Sequence, residues 1–293
     1  MSAPPSPLIS PSELAAAMLA SGVDVIDASV ELPSPRFDGD HRHASGLAGW
    51  IEEQIPGSRH VDLLHAFSDP HARFSFAMPA WSAWPDRLDT LGFHPDRMPV
   101  IYDRSDGFWA ARLWWMLDSA GIRCRVLDGG IAAWKADGQI VIRGAPQPQP
   151  LVRRHDWSLK PQPHRWADLE QVRAITESRQ QGTLICALSD AMFNGIVPTR
   201  YSRRGHIPGS LNLPARRLLG PANRRRPMAE NAELVAASLA NAATPWVIYC
   251  GGGISAASLA LDLYRLGHRD VAVYDGSLQE WSADVSLPMS SAT

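Results

Sequence analysis

The feature that most constrains the fold of this chain is an internal duplication, because four short segments of the first half recur in the same order in the second half. The recurring pairs are Val25–Ala28 with Leu184–Ala187, Gln54–Ser58 with His206–Ser210, Pro99–Asp103 with Trp246–Cys250, and Leu127–Trp134 with Tyr274–Trp281. Repeated segments in one order indicate two copies of one structural unit. A length of 293 residues also fits two domains of ordinary size.

A proline-rich stretch lies between the two copies. From Arg143 to Pro150 the sequence reads Arg-Gly-Ala-Pro-Gln-Pro-Gln-Pro. Proline at alternate positions excludes helix and favours an extended, semi-rigid linker. We therefore predict a first domain at residues 1–144, a linker at 145–160 and a second domain at 161–293.

Short apolar runs alternate with helical segments in both copies. Ser10 and Glu13 form a capping-box pattern with Pro11 between them, which predicts the start of the first helix. The predicted helices are residues 10–22, 108–120, 166–182 and 254–266, and the predicted strands are 23–28, 100–102, 125–127, 183–187, 247–249 and 271–274. This alternation predicts an α/β fold in which each domain is a mostly parallel sheet flanked by helices. The active sites of such sheets lie at the carboxyl ends of the strands.

The composition excludes several classes of protein. A hydrophobic content of 45% and a charged content of 20% are typical of a globular chain, and a formal net charge of -2 argues against a nucleic-acid partner. No apolar run approaches the length of a membrane span, and the first residues lack the pattern of a signal peptide. Three widely spaced cysteines fit neither a disulfide framework nor a metal site. We expect a cytoplasmic protein without a metal ion and without a membrane partner.

Cys250 is the residue that best fits a reactive role. It follows a predicted buried strand and precedes three consecutive glycines. These glycines let the backbone curl so that successive N–H groups point to one spot, and the helix that starts near Ile254 adds the positive end of its dipole. Such a loop stabilises a thiolate, which is the nucleophilic form of cysteine. The residues predicted to bind the substrate are Gly251, Gly252, Gly253, Ile254, Ser255 and Ala256.

The first copy and the other two cysteines lack this setting. Cys124 and Cys186 lie at or inside predicted strands, so we predict that both are core residues. The position equivalent to Cys250 is Asp103, and aspartate is no nucleophile for sulfur. We therefore predict that the first domain is catalytically silent and forms one wall of a cleft between the domains. A buried structural cysteine ahead of a tight turn is the alternative interpretation of Cys250.

These segments resemble the tandem-domain rhodanese family, which includes thiosulfate sulfurtransferase and 3-mercaptopyruvate sulfurtransferase. The resemblance covers nearly the whole chain and is carried by Ile26–Ser29, Phe108–Leu117, Leu127–Trp134, Gly205–Pro214, Cys250–Ala256 and Tyr274–Trp281. It implies two tandem rhodanese-like domains, no cofactor, and a ping-pong reaction in which Cys250 takes a sulfane sulfur from a small donor as a persulfide. The sulfur then passes to a thiophilic acceptor, namely cyanide, a thiol or a protein cysteine.

The donor-binding residues of the family are not all present. In the family, arginines that bind the donor follow the first strand of the second domain, and this chain has Leu188 and Met192 there. The Cys250 loop is more similar to the Cys-Gly-Ser-Gly-Val-Thr-Ala of the mercaptopyruvate type than to the Cys-Arg-Lys-Gly-Val-Thr-Ala of the thiosulfate type. Gly252 nevertheless replaces the loop serine. The candidates to replace these groups are Arg200, Arg203, Arg204, Arg104 and His43.

The missing arginines leave two further hypotheses open. One is a persulfide carrier or relay protein with weak activity on small donors. The other is a cysteine phosphatase of a related loop type, which needs an arginine that closes the loop onto phosphate, whereas Ala256 and Ala257 stand where that arginine is expected. The identities of the sulfur donor and acceptor and the oligomeric state do not follow from the sequence.

Overall fold

The first copy of the repeat builds a five-stranded sheet with helices around it. The computed structural model describes residues 6–144 and 154–292. The described strands of this half are β1 (Leu8–Ile9), β2 (Val23–Asp27), β3 (Val30–Glu31), β4 (Ala44–Ser45), β5 (Arg59–His60), β6 (Met98–Tyr102) and β7 (Arg125–Leu127). The described α-helices are α1 (Pro11–Leu19), α2 (Leu47–Glu52), α3 (Trp84–Thr90), α4 (Phe108–Ser119) and α5 (Gly130–Ala136).

The second copy builds a sheet of the same size. Its described strands are β8 (Trp166–Ala167), β9 (Thr183–Cys186), β10 (Leu211–Asn212), β11 (Trp246–Tyr249) and β12 (Val271–Tyr274). Its described α-helices are α6 (Leu169–Thr176), α7 (Asp190–Phe193), α8 (Met228–Ser238), α9 (Ile254–Arg265) and α10 (Ser277–Ala283). Short 3₁₀ turns occupy Trp81–Ala83, Pro163–Arg165, Ala215–Leu218 and Pro221–Asn223.

The two sheets have the same strand order. The first runs β1-β7-β6-β2-β5, the second runs β8-β12-β11-β9-β10, and every pairing within both sheets is parallel. Strands β3 and β4 form a separate antiparallel pair. The predicted α/β fold with two parallel sheets is therefore confirmed, and the duplication read from the sequence is a duplication of topology.

The central strands are buried along their length. All five residues of β2 and all four residues of β11 are buried, as parallel strands covered by helices on both faces should be. The predicted capping box is also present, since Ser10 Oγ accepts from the N–H of Glu13 and the Glu13 carboxylate accepts from the N–H of Ser10. Helix α1 begins at the next residue.

One predicted helix has the wrong bounds. The segment predicted as helix 166–182 begins with the edge strand β8, because Trp166 and Ala167 pair with Val273 and Tyr274. Asp168 then caps α6 by accepting from the N–H of Gln171, and the helix ends at Thr176. An apolar pair at the start of an amphipathic segment does not reveal whether it pairs with a distant strand.

The predicted linker at 145–160 falls partly on residues 145–153, which lie outside the described residues. The described part is tied to the first half, since the N–H of Lys160 donates to the carbonyl of Ala120 at 2.8 Å. The indole N–H of Trp157 donates to the Asp89 carboxylate at 2.7 Å. The domain boundaries themselves stay a prediction.

The two halves pack through the helices that follow their central strands. Helices α4 and α9 contact each other along the interface, and Trp114 of α4 meets Tyr264 of α9 edge to face at 5.4 Å. Arg112 of α4 is buried and donates to the carboxylate of Asp275, which follows β12. This packing brings the N-terminal ends of both helices to one cleft. Among residues 6–144 and 154–292, no helix is long and apolar enough to cross a membrane.

Candidate functional site

Cys250 lies at the carboxyl end of β11, the central strand of the second sheet. Its side chain is buried. The N–H of Cys250 donates to Ser277 Oγ at 3.1 Å, and its carbonyl accepts from the N–H of Leu278 at 3.1 Å. The carbonyl of Gly251 accepts from the N–H of Gln279 at 2.8 Å. The start of α10 therefore fixes the backbone of Cys250 and Gly251. None of these bonds uses the N–H groups of the residues that follow Cys250.

Six consecutive N–H groups, those of residues 251–256, have no hydrogen-bond acceptor among the described residues. They belong to the loop and to the first turn of α9, where orphan N–H groups and the helix dipole favour an anion. Gly253 has a φ of +80°, a left-handed conformation that lets the chain turn from the loop into the helix. We name residues 250–256 the cysteine loop. Its six donors are those that the sequence predicts to bind the substrate.

The equivalent loop of the first half shows what such donors bind. Asp103 follows β6 and is buried, and its carboxylate accepts from the N–H groups of Ser105, Gly107 and Ala110 at 2.9, 3.0 and 3.0 Å. Burial raises the pKa of Asp103, the nearby Asp106 raises it further, and the three N–H donors oppose both. Gly107 has a φ of +78° before α4, as Gly253 has before α9. The first loop thus carries its own anion in the place where the second carries Cys250.

The cysteine loop opens onto a cleft of about 450 Å³ between the two halves. Cys250, Gly251, Gly252, Ile254 and Ser255 line it, whereas Gly253 and Ala256 do not. The first half contributes a wall that includes Phe108 and Trp109 at the start of α4. The remaining lining residues are Val30, Leu32, Ser34, Ser105, Asp106, Ala187, Leu188, Ser189, Met192, Arg200, Tyr201, Pro214 and Arg216.

Of the five cationic candidates named from the sequence, only Arg200 lines the cleft. Its Nη2 donates to the carbonyls of Leu32 and Pro33, and its buried Nε has no partner among the described residues. Burial lowers the pKa of Arg200, but a guanidinium stays protonated at neutral pH. It therefore supplies one positive charge to the cleft.

The other four candidates are engaged elsewhere. Arg203 donates to backbone carbonyls of residues 281–287, Arg204 pairs with Asp38, and Arg104 donates to the carbonyl of Glu53. His43 lines a neighbouring cavity of about 630 Å³, together with His41 and Gln279. Their roles are structural or lie outside the cleft of Cys250.

Cys124 and Cys186 are buried, as predicted for core residues. Burial raises the pKa of both thiols, to about 12 for Cys186 and well above the usual value for Cys124. Both therefore remain thiols at neutral pH and are poor nucleophiles. Neither lines the cleft of Cys250.

Two residues of the cleft were missed in the sequence. Arg216 lies two residues after Pro214 and donates to the carboxylate of Asp106 at 2.5 Å, and its guanidinium lies over the ring of Phe108 at 5.3 Å. Tyr201 follows Arg200 and lies against Gly251. Arg216 follows the carboxyl end of β10, and Tyr201 lies in the connection that leaves the carboxyl end of β9 through α7. The rule that such connections meet at the carboxyl edge of a parallel sheet would have pointed to these segments.

The first half holds the segment that carries Arg200 and Tyr201. The N–H of Thr199 donates to the carboxylate of Asp38 at 3.0 Å, and the carbonyl of Thr199 accepts from the N–H of Gly39 at 2.8 Å. Arg204 adds two bonds of 2.9 Å to the same carboxylate. We name these contacts the Asp38 clamp.

Comparison with known proteins agrees with this architecture. The sequence pattern of the rhodanese-like domain matches residues 10–137 and 177–284. The chain is 28% identical over 283 residues to thiosulfate/3-mercaptopyruvate sulfurtransferase 2 of Arabidopsis thaliana, covering 90% of this chain and 82% of the relative. It is 29% identical over 246 residues to 3-mercaptopyruvate sulfurtransferase of Escherichia coli strain K12, covering 82% and 84%.

Solved structures show the same fold over almost the full length. The Tum1 protein of Saccharomyces cerevisiae superimposes with a TM-score of 0.80 at 24% identity, covering 99% of both chains. SseA of Escherichia coli, described as a 3-mercaptopyruvate sulfotransferase, superimposes with a TM-score of 0.77 at 25% identity, covering 93% of this chain and 99% of SseA. Two matched domains, two sheets of one order and full-length structural relatives lead to one conclusion: the chain belongs to the rhodanese family.

Proposed function

We propose that this protein is a sulfurtransferase in which Cys250 takes a sulfane sulfur from a small donor and passes it on as a persulfide. The observation that carries the proposal is the row of six N–H groups after Cys250 that have no acceptor among the described residues. Relatives named sulfurtransferases over most of the chain support the reaction class. The Asp103 loop supports the binding preference, because the equivalent donors there bind an anionic group.

The reaction proceeds in two displacements. The thiolate of Cys250 attacks the outer sulfur of the donor and forms a new S–S bond. The bond between that sulfur and the rest of the donor breaks, and its electron pair leaves with sulfite from thiosulfate or with the enolate of pyruvate from 3-mercaptopyruvate. The enolate then takes up one proton. In the second step the acceptor attacks the outer sulfur of the persulfide, and the Cys250 thiolate leaves with the electron pair of the S–S bond.

The cysteine loop stabilises negative charge in both steps of this reaction. Both the thiolate and the terminal persulfide sulfur carry negative charge, and N–H groups that are already oriented toward an anion stabilise that charge without rearrangement. The cleft is also partly closed by apolar side chains, including Leu188 and Met192. A low local dielectric strengthens each of these electrostatic interactions.

The donor class follows from the charge of the cleft. Arg200 and Arg216 supply two guanidinium groups, of which Arg216 is paired with Asp106, and Ser255 adds a hydroxyl at the start of α9. We therefore propose a small anionic donor of the thiosulfate or 3-mercaptopyruvate type and an acceptor that is cyanide, a thiol or a protein cysteine. The cytoplasmic location predicted from the sequence stays a prediction.

The test compares donors on the wild type and on Cys250→Ser. Thiosulfate and 3-mercaptopyruvate are each supplied with cyanide or a small thiol, and sulfur transfer is followed as thiocyanate or sulfide. We expect saturable turnover with at least one donor in the wild type and none in Cys250→Ser. Equal turnover in the two proteins would refute the role of Cys250.

A second candidate function is a persulfide carrier or relay protein. The observation in its favour is that the apolar side chains of Leu188 and Met192 line the cleft where the family has donor-binding arginines. A carrier would accept sulfur from a protein persulfide faster than from either small donor. Fast saturable turnover of a small donor without any protein partner would eliminate this candidate.

A further inference from the structure

Tyr201 is a buried residue that lines the cleft, and its hydroxyl has no hydrogen-bond partner among the described residues. The ring is 8% exposed, and its backbone N–H donates to Thr199 Oγ1 at 3.1 Å. The hydroxyl forms no hydrogen bond with any residue in 6–144 or 154–292, whereas that of Tyr249 binds both Ser210 and Ile207. The side chain is buried, but its hydroxyl oxygen is not fully enclosed, because Tyr201 lines the cleft. This hydroxyl is therefore available to a group in the cleft.

The position of this hydroxyl is set by the cysteine loop. A methyl group added at Gly251 would lie 1.5 Å from Tyr201 Oη and 2.2 Å from Cζ. Because a Cα–Cβ bond is about 1.5 Å long, Oη lies within about 3 Å of the Gly251 Cα, one residue from the nucleophile. The glycine at 251 leaves the space that the phenol occupies. Gly252 differs, since a methyl group there would meet Gln279 at 3.4 Å.

The phenol is a hydrogen-bond donor throughout the neutral pH range. Burial raises the pKa of Tyr201 far above its usual value, the negative charge of Cys250 raises it further, and Arg200 opposes both. Cys186 adds a smaller effect in the same direction as Cys250. A protonated phenol beside a thiolate donates to it, and a bond to a charged acceptor is roughly twice as strong as a neutral one.

We infer that Tyr201 is a further catalytic residue, whose hydroxyl donates a hydrogen bond to the sulfur carried on Cys250. This inference deepens the proposed function. The cysteine loop binds the sulfur anion through backbone N–H groups, and Tyr201 binds it from the side of Gly251. In this structure the hydroxyl has no bond to Cys250; it is placed beside the cysteine loop, and the bond forms when negative charge develops on the sulfur, first on the thiolate and then on the persulfide. No proton is transferred. The Asp38 clamp is what holds the phenol there, so the silent half contributes to the chemistry through Tyr201.

The test is Tyr201→Phe, which keeps the ring and removes only the hydroxyl. The rate of alkylation of Cys250 by iodoacetamide is measured against pH, with the modified peptide identified by mass. We expect the midpoint of the profile to move up by about one pH unit, because a hydrogen bond to the charged form favours that form. Persulfide formation in a single turnover should slow by about tenfold. A midpoint within about 0.2 units of the wild type would overturn the assignment.

Tyr249→Phe is the matched control. Its side chain is also buried, but its hydroxyl donates to Ser210 at 2.8 Å and Tyr249 does not line the cleft. We expect no shift of the alkylation midpoint in this variant, and an equal shift in both variants would overturn the assignment as well. Alkylation needs no sulfur donor. If the wild type fails to form a persulfide while Tyr201→Phe still shifts the midpoint, the proposed function is refuted and the bond from Tyr201 stands.

Discussion

The loop after β6 and the loop after β11 occupy the same place in two copies of one fold, yet they hold different groups. In the first, the Asp103 carboxylate accepts from three backbone N–H groups. In the second, six N–H groups after Cys250 have no acceptor among the described residues. An active-site loop combines a preference for anions with a reactive side chain, and the comparison of the two loops shows that these properties have different origins. The preference for an anion belongs to the backbone geometry, and the reactivity belongs to the residue at the end of the strand.

The two loops also differ in what surrounds them. Arg104, the residue after Asp103, turns away to the carbonyl of Glu53. Gly251, the residue after Cys250, has no side chain and leaves room for Tyr201. The Asp103 loop is thus closed by its own carboxylate, whereas the cysteine loop meets a cleft with a phenol and two guanidinium groups. The following variants test this comparison.

Cys250→Asp should have the largest effect, because it gives the second loop the residue of the first. We expect sulfur transfer to fall by on the order of 10⁴-fold or more, since a carboxylate cannot form a persulfide. The fold should remain, because the carboxylate finds N–H donors as Asp103 does. Turnover and thermal unfolding are measured beside Cys250→Ser. A Cys250→Asp protein that unfolds far more easily than Cys250→Ser would contradict the equivalence of the two loops.

Gly251→Ala should have the next largest effect. The added methyl group would lie 1.5 Å from the hydroxyl of Tyr201, so either the loop or the ring must move. We expect turnover to drop by about 100-fold and the free energy of unfolding to fall by about 1–3 kcal/mol, as in other overpacked sites. Gly252→Ala is the control, because its methyl group would meet Gln279 at 3.4 Å. Similar losses in both variants would argue against a special role for the contact with Tyr201.

Arg216→Ala tests the charge of the cleft. We expect kcat/KM for the anionic donor to fall by about tenfold, mostly through KM, because a guanidinium that attracts the donor is lost. The neighbouring Arg217 pairs with Asp190 and does not line the cleft, so Arg217→Ala should change kcat/KM by less than about twofold. If the two variants behaved alike, the donor would not be bound through Arg216.

Asp103→Asn should leave sulfur transfer unchanged and reduce stability by about 1–2 kcal/mol, because the amide cannot accept from all three N–H groups. The raised pKa of Asp103 adds a second contribution, which depends on pH, because burial and Asp106 oppose the charged form. The native state holds the proton more tightly than the unfolded chain, so this second contribution is complete below the usual pKa of 3.8 and is lost as pH rises through the native value.

Denaturant unfolding of wild type and Asp103→Asn across the acidic range measures that dependence. The wild type should lose stability relative to the variant as pH rises from below 3.8. Asp137→Asn, at the exposed end of α5, is the control and should show neither change. A wild type that gained stability relative to Asp103→Asn over this interval would contradict the direction of the shift.

The duplication made the topology and the place of Cys250 predictable. Two apolar runs that end in Tyr-Asp and Tyr-Cys had to be equivalent central strands, and β6 and β11 are. The bounds of β8 and α6 were less predictable, because the pairing of Trp166 with Val273 joins residues far apart in the sequence.

The cationic side of the site was harder to predict from the sequence. Arg200 and Arg203 are three residues apart, yet Arg200 lines the cleft and Arg203 donates hydrogen bonds to backbone carbonyls of residues 282–287. Arg216 is held by Asp106 and Phe108, which both belong to the other half. Spacing along the chain cannot show which arginine lines the cleft, since that depends on contacts that form when the chain folds and the two halves pack together.

The most direct test of the difference between the two loops is to find which cysteine carries the transferred sulfur. The wild type and Cys250→Ser are incubated with thiosulfate or 3-mercaptopyruvate and digested without reductant. The mass of each cysteine-containing peptide is then measured by mass spectrometry. The account predicts a gain of about 32 Da, the mass of one sulfur atom, on the peptide of Cys250 alone. Sulfur on Cys124 or Cys186, or an equal gain in Cys250→Ser, would contradict it.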